Sequence, residues 1–560
     1  MLKKHSTKII VLSFFLVSIL LSSFLVKGDV FYFSIDYPFH FNRVLGIAEA
    51  LKQGEFFNTI DFNMLSGLGY LNPIFYCNIF LYPFAILKIL GLSNISIITC
   101  MIFFTYFFTQ LISFFSAKSY FKNNLDSLIF TLIFTFSSYH LFDIAYRGAI
   151  GELFGLMMLP IPLFAFLNIQ FKNDYKKWWV LSLGLLLVFI NHNITTLLLI
   201  VLFIIIYTLN IYKNKNCKEI TITFIKSGIF FTIISLFYTI PMLFSSMSQE
   251  FNVAVNPAFH LSDTTNLIEY LPFNEFLLNS ILNNPIGLNI GLVGIFSILF
   301  GLIRFKKLNK ISKQFLIIII LTILSMYLFM DTGILDNTLL NIIQFSWRFY
   351  IIIVPMIGIL FINILETFKN KKIIDLSKKG SILFFTFSII IFKLIYSTIV
   401  LPTSDINAGN HTWYVNDTKK YTYDIGTGRE YLPSVLEPKF NQYADLKELP
   451  TKISSNKDTT NIKNINKEFS SIEFDVISKD IDTIEIPFIY YKDFFKVTSN
   501  GKPVKFEMSD NGLIQIKVKD NDKTHIEVKH KNPWYIYTSW ILTFVLTTLF
   551  IYIIKKTPLR

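Results

Sequence analysis

The chain has 560 residues, is 53% hydrophobic and only 16% charged, and has a mean hydropathy of +0.52. Many Ile and Phe residues lie in runs of about 18 or more, long enough for helices that cross a bilayer at 1.5 Å rise per residue, which excludes a soluble enzyme. The formal charge of +13 does not mark a nucleic-acid binder, because the lysines cluster in short connections between apolar runs, the positive-inside pattern.

In chain order, the first apolar run (9–26) follows Lys3, Lys4 and Lys8 and has no A-x-A cleavage site, so an uncleaved first helix is expected. The basic connections are 1–8, 118–124, 172–177, 213–218, 304–313, 369–379 and the tail 555–560. All fall on one side if twelve helices cross, near 8–27, 95–117, 125–141, 151–169, 178–192, 194–212, 220–243, 286–303, 314–331, 347–366, 381–401 and 534–554. Both termini are then cytoplasmic. The stretch "NPIFYCNIFLYPFAILKILG" (72–91) is left out as an interfacial or re-entrant segment, since counting it inverts the charge pattern downstream.

The loop 28–94 therefore lies outside. It contains an amphipathic helix with Val44, Leu45, Ala48 and Leu51 on one stripe and Asn42, Gly46, Glu49 and Gln53 opposite, expected to lie on the membrane. Residues 402–533 are polar and also outside. From about 470 they read as strands, with Asn500-Gly501 and Asn511-Gly512 as hairpin signals, and 454–467 reads as a linker. The expected fold class is a polytopic all-α membrane protein of about twelve spans plus a small extracytoplasmic β-sandwich. Its segments are 1–401, 402–533 and 534–560.

Lysine dominates the 51 basic residues, and arginine appears six times. Arg43, Arg147, Arg348 and Arg429 all fall on the outer side, against the positive-inside trend, where a planar charged fork suits phosphate or carboxylate. Asp36, His40 and Arg43 follow one another at i, i+4 and i+7 around a helix start, and the helix dipole favours an ionised Asp36 able to act as a base. Asp143 and Arg147 are spaced for an i, i+4 pair. Glu152 enters an otherwise apolar helix, which calls for a function or a partner. His192 sits in the tight turn "INHNITT", and Trp347 beside Arg348 reads as an interface anchor. Asp36, Arg147, Glu152, His192 and Arg348 thus occur at the outer ends of separate spans and are expected to converge on one cavity. The cytoplasmic connections hold no Walker A and no G-x-G-x-x-G beside a strand, so an activated donor has to arrive on a lipid carrier. No two cysteines, and no H-x-H or H-E-x-x-H histidines, have metal-ligand spacing.

The segments "DYPFHFNRVLGIAEALKQGEF", "YRGAIGELFGLMMLPIPLF", "LVFINHNITTLLL", "IQFSWRFYIIIVP" and "IGTGREYLP" resemble bacterial membrane proteins of the YfhO-like group. The similarity is to its branch labelled 6-pyruvoyl-tetrahydropterin synthase-related, whose pterin label implies a histidine zinc site that this sequence does not offer. The group in turn resembles the GT-C glycosyltransferases. That resemblance implies a sugar moved from a polyprenyl-phosphate carrier to a cell-envelope polymer or lipid acceptor, on the outer face of a bacterial plasma membrane. It implies Asp36 as the base. The family often pairs two acids at this motif; here Asp36 is followed by Tyr37, so no cofactor is evident and a divalent cation is left open. On charge and topology, Arg147 and Arg348 are the expected clamp for the departing phosphate, with His192, His40, Arg43 and Glu152 as further substrate-binding residues. The alternative is a non-enzymatic envelope protein that transports carrier lipid or polymer, or acts as a scaffold.

Overall fold

The structure is a computed structural model. It describes residues 2–556 apart from 25, 28–29, 33–35, 213–214, 256–272, 283–287, 329–333, 335, 369–375, 381, 383–411, 415–421, 424, 427–428, 440–444, 458–459, 479–480 and 519–522. The expected span at 381–401 and the start of the outer domain lie outside the described residues. The chain divides into two compact units. One comprises Met1–Tyr37, Asn94–Thr232 and Phe259–Val415; the other comprises Pro38–Ser93, Ile233–Ala258 and Asn416–Arg560.

Among the described residues, seven helices are long and apolar enough to cross a membrane, or eight if the bent pair Asn124–Thr135 and Ser138–Arg147 is one span. The twelve expected spans are not reached among the described residues. Trp178–Phe189 has 12 residues and Gly291–Ile303 has 13. At 1.5 Å per residue each is about 20 Å long, short of the hydrocarbon thickness. The first is bounded by the turn at Tyr175–Lys177 and by the turn before His192. Segment 72–91 forms three short helices, Asn72–Phe75, Ile79–Leu81 and Tyr82–Ile89, with prolines at the starts of the first and last. None is long enough to span.

In the first unit, side-chain caps set the breaks. Asn123 accepts from the backbone N–H of Asp126 at 2.8 Å, and Ser137 accepts from that of His140 at 3.2 Å. Four of the basic connections meet at one end. Lys118 and Asn124 both donate to Thr7 Oγ1, at 3.2 and 3.3 Å, Lys172 donates to the carbonyl of Tyr120, and Lys378 pairs with Asp126.

In the second unit the strands form two antiparallel sheets. One runs in the order Phe506–Met508, Leu513–Val518, Asp482–Ile489, Ser454–Ser455. The other runs Asn461–Lys467, Ser471–Ile477, Thr524–His530, Phe495–Ser499, Lys502–Pro503. Alternate residues such as Ile472, Phe474 and Val476 are buried, as a sandwich requires. Asn500 and Gly501 both have positive φ, 47° and 76°, the two-residue hairpin expected of Asn-Gly. At the second hairpin Gly512 (φ 68°) has positive φ while Asn511 does not, and Ser509 N–H bonds to Leu513 O. This is a three-residue loop. The expected linker 454–467 is mostly strand: Asn461–Lys467 pairs with Ser471–Ile477 as an exposed edge with a register shift. Its Lys and Asn content is what an unprotected edge carries, and it reads as a loop for that reason.

The β strands do not have a core to themselves. Phe62 packs edge-on against Phe488, Phe495 and His530, and Ile60, Leu65, Leu68 and Tyr70 are buried in the same cluster. The N–H of Ile489 bonds to Leu68 O at 2.9 Å. Residues 38–93, most of the loop 28–94, are therefore part of this unit. Its helix Tyr37–Lys52 is enclosed on several faces rather than lying on a surface: Asn42, Arg43, Val44, Ile47, Ala48 and Ala50 are all buried.

Candidate functional site

The first unit brings five of the expected site residues together, around Glu152. Glu152 lies in the first turn of Ile150–Met158 with its side chain 1% exposed. Its Oε1 accepts from the Tyr139 hydroxyl. Its Oε2 accepts from Arg147 Nη1 at 3.2 Å and Arg348 Nε at 3.4 Å, and lies 3.8 Å from His192 Nε2. Removing one partner from a buried network of this kind costs about 3–5 kcal/mol, because the charge left behind has no water to turn to.

Arg147 holds the cluster to its margin. Nη1 also donates to Asp143 Oδ1 at 3.1 Å, so the i, i+4 pair forms. Nη2 lies 3.8 Å from Asp36 Oδ2, and the backbone N–H of Asp36 donates to Arg147 O at 2.7 Å. Asp36 is the most accessible acid of the group, with its side chain 28% exposed. Residues Asp143–Arg147 form a π-helical turn, a geometry that widens the helix and recurs at functional sites. Gly148 ends the turn with φ 70°, and a Cβ there would lie 2.1 Å from Tyr37 Cδ2. Glycine is therefore required twice over.

Arg348 comes from the segment Ser346–Phe349 and donates from Nη1 to Ile343 O at 2.8 Å and to Gln344 Oε1 at 2.7 Å. Gln344 has φ 65°, a strained value for a side chain of that size. Phe345 and Trp347 stack at 4.5 Å, and both arginines lie against Phe345, with Cζ atoms 5.8 and 4.9 Å from its centroid. Trp347, expected as an interface anchor, is 3% exposed and packed inside instead. His192 caps Asn193–Ile211: its Nδ1 faces the N–H of Thr195 at 3.4 Å and the Thr195 hydroxyl at 2.7 Å. That leaves Nε2 towards Glu152. Gly155 allows this approach, since a Cβ there would sit 2.9 Å from His192 Cβ.

Three carboxyls thus face two guanidiniums. No hydrogen bond from Nη2 of either arginine is found among the described residues. Asp143 Oδ2 is buried with no hydrogen-bond partner among the described residues, and Asp36 stands at the accessible edge of the cluster, 3.8 Å from Arg147 Nη2. A divalent cation does not fit: Glu152 and Asp143 are taken up by arginine, and no group of three or more His, Cys, Asp or Glu among the described residues is arranged to hold a metal.

His40 and Arg43 belong to the second unit. Arg43 Nη1 bonds to His40 Nδ1 at 2.9 Å, Nε and Nη2 bond to Asn78 Oδ1, and Nη2 also reaches the carbonyls of Tyr76 and Cys77 at 3.3 Å. Burial lowers the pKa of this guanidinium. Its donors are committed to holding residues 76–78 on the helix Tyr37–Lys52, which leaves little for a substrate. Asp61, also buried here, has Oδ1 bonded to the N–H of Asn63 at 3.0 Å and no hydrogen-bond partner for Oδ2 among the described residues. Burial raises its pKa to about 7, against the opposing pull of that N–H and of Arg43. Gly46 makes room for it, since a Cβ there would lie 2.1 Å from Oδ1.

The sequence reading did not single out Tyr139 or the aromatic shelf of Phe345. Glu152 lies 13 residues from Tyr139, and Arg147 about 200 residues from Phe345, separations that no local spacing reveals. Asp61 was missed too, as one acid in a loop with no repeating pattern around it.

Over 328 aligned residues the chain is 26% identical to an uncharacterized protein of Lactococcus lactis subsp. cremoris strain MG1363. The alignment covers 55% of this chain and 51% of that protein, so the chain spans about half the length of the curated relative it matches. No protein-family profile matches the chain, and no solved structure matches it.

Proposed function

We propose that the chain is a GT-C-like glycosyltransferase of the YfhO-like kind, moving a sugar from a polyprenyl-phosphate carrier to an envelope acceptor on the outer face of the membrane. The observation that carries this reading is the margin of the Glu152 cluster. There an accessible carboxylate, Asp36, stands 3.8 Å from Arg147 Nη2, so a carboxylate and a guanidinium face the same edge of the cluster. In a single displacement, Asp36 takes the proton of the acceptor hydroxyl as its oxygen bonds to the anomeric carbon. The bond from that carbon to the phosphate oxygen breaks, and the carrier phosphate leaves with the electron pair. Nη2 of Arg147 and of Arg348 are the groups available to stabilise that charge. Glu152, Asp143 and Tyr139 hold the arginines in place.

The test is transfer from radiolabelled polyprenyl-phosphate sugars to envelope polymers by the purified protein in vesicles. Asp36→Asn keeps shape and removes the base, so transfer should fall by about 10²–10⁴-fold with the melting temperature little changed. As a mere cap before the helix at Tyr37, Asn is nearly as good as Asp and costs a few tenths of a kcal/mol at most. Arg348→Lys keeps the charge and loses the fork, and should also slow transfer. Undiminished transfer by Asp36→Asn would end this reading. A second reading, a non-enzymatic carrier-lipid or polymer transporter, draws on how fully Glu152 and Asp143 already compensate Arg147. Under it neither substitution changes a transfer reaction.

A further inference from the structure

A cavity in the first unit shares no residue with the Glu152 cluster. It has a volume of about 300 Å³, at the lower end of ligand pockets, and its walls are apolar. The helices Pro160–Lys172, Trp178–Phe189, Asn193–Ile211 and the early turns of Cys217–Ser248 contribute to it. Phe166 stacks on Phe203 at 4.2 Å and on Phe224 at 5.1 Å to form an aromatic wall. Three other lining residues, Ile204, Ile225 and Gly228, are exposed on the outside of the unit, so the cavity opens there. Three of the candidate membrane-crossing segments contribute to it, Ile150–Lys172, Asn193–Ile211 and Cys217–Ser248, and an opening on the outer surface of such helices suits contact with lipid. A Cβ on Gly228 would meet nothing within 4 Å.

The position of this cavity along the bundle gives its chemistry. It is lined by the early turns of Trp178–Phe189 and Cys217–Ser248 and by the later turns of Asn193–Ile211. Those ends lead into the basic connections that carry Lys176, Lys177 and Lys218. Lys226, next to the lining residues Ile225 and Ser227, stands 4.0 Å over the ring of Trp178. Ser227 Oγ donates to Trp178 O at 3.1 Å, tying the two helices together at that point. An apolar slot on membrane-length helices, with Lys226 beside it and Lys176, Lys177 and Lys218 in the connections at the same ends of those helices, suits a membrane lipid with an anionic head.

We propose that this cavity takes one acyl chain of an anionic glycerophospholipid, with its phosphate against Lys226 and the adjoining Lys176, Lys177 and Lys218. One chain suits the volume, and the second remains in the bilayer. The lipid is held from the leaflet at the basic end of the bundle, and the site is independent of the reaction proposed above.

The full-length protein, stripped of lipid in detergent, is offered equal phosphatidylglycerol and phosphatidylcholine, and bound lipid is counted by native mass spectrometry. Wild type should retain one phosphatidylglycerol in at least tenfold preference over phosphatidylcholine. Gly228→Leu, which grows into the open space without a clash, should lose that lipid at least tenfold. Lys226→Gln should erase the headgroup preference while a lipid still binds. A phosphatidylglycerol carrying a photoreactive acyl chain should crosslink within 193–231, a readout that needs no variant. Equal retention of the two lipids by wild type, unchanged retention by Gly228→Leu, or crosslinks spread evenly over the apolar helices would each overturn the proposal.

Discussion

At the scale of single residues, burial decides which charged groups are placed for chemistry and which for structure. Arg147 and Arg43 are both buried outer-side arginines by sequence, yet Arg147 reaches Asp36 at the edge of its cluster while Arg43 is consumed by His40, Asn78 and two carbonyls. Asp61 is the sharpest case of a residue that tertiary surroundings redefine. With its folded pKa raised from 3.8 to about 7, it keeps its proton in the folded state while the unfolded chain ionises. Stability therefore falls as pH rises from about 4 to about 7 and levels off above, by an amount on the order of 4 kcal/mol. Asp61→Asn, which keeps the acceptor for the N–H of Asn63, should flatten that slope and melt higher than wild type at pH 8. Thermal melts of both proteins across pH 4–8 measure this, and parallel profiles would show that Asp61 is not the titrating group.

At the scale of elements, breaks in the helices matter more than the helices. The span expected at 125–141 is bent by 46° between Asn124–Thr135 and Ser138–Arg147, and the second piece ends in a π-helical turn that carries Asp143 and Arg147. Gly148 closes that turn against Tyr37. Gly148→Ala should cost about 1 kcal/mol for the positive φ alone, and more for moving the Tyr37 ring. Gly54 offers the control: it has φ 78° with nothing within 4 Å of an added Cβ. Melting temperatures should drop distinctly further for Gly148→Ala than for Gly54→Ala; equal drops would mean that the contact with Tyr37 carries no weight. Hairpins show the same dependence on context. Two identical Asn-Gly pairs give different turns, because Ser509 closes a three-residue loop around the second.

At the scale of the whole molecule, residues 60–76 and the β strands share one hydrophobic cluster, so a membrane cannot separate them. Contacts of Lys118 and Asn124 with Thr7, and of Lys378 with Asp126, collect basic segments at one end of the first unit. Reporter fusions should accordingly read as extracytoplasmic within 464–467 and as cytoplasmic after Lys122, Lys215 and Lys310. A cytoplasmic reading from 464–467 would remove the outer site along with the topology.

The sequence by itself determined that long apolar helices and a β-rich segment make up the chain, and where the strands after about 470 lie. Apolar runs, lysine-rich connections and alternating β segments are local signals, each set by a short stretch and its solvent. It also pointed to Asp36, Arg147, Glu152, His192 and Arg348 as one group, because an ionisable residue at the end of an apolar run needs a partner wherever that partner is. Only the tertiary structure decided who the partners are. Tyr139 and Phe345 joined the cluster, while Arg43 was tied to His40 and Asn78 in the second unit; residues 60–76 entered the β core; and several expected spans came out short or broken. These outcomes depend on contacts between residues tens to hundreds of positions apart. The energy of a buried charge or an aromatic shelf is set by everything packed around it, which no spacing along the chain encodes.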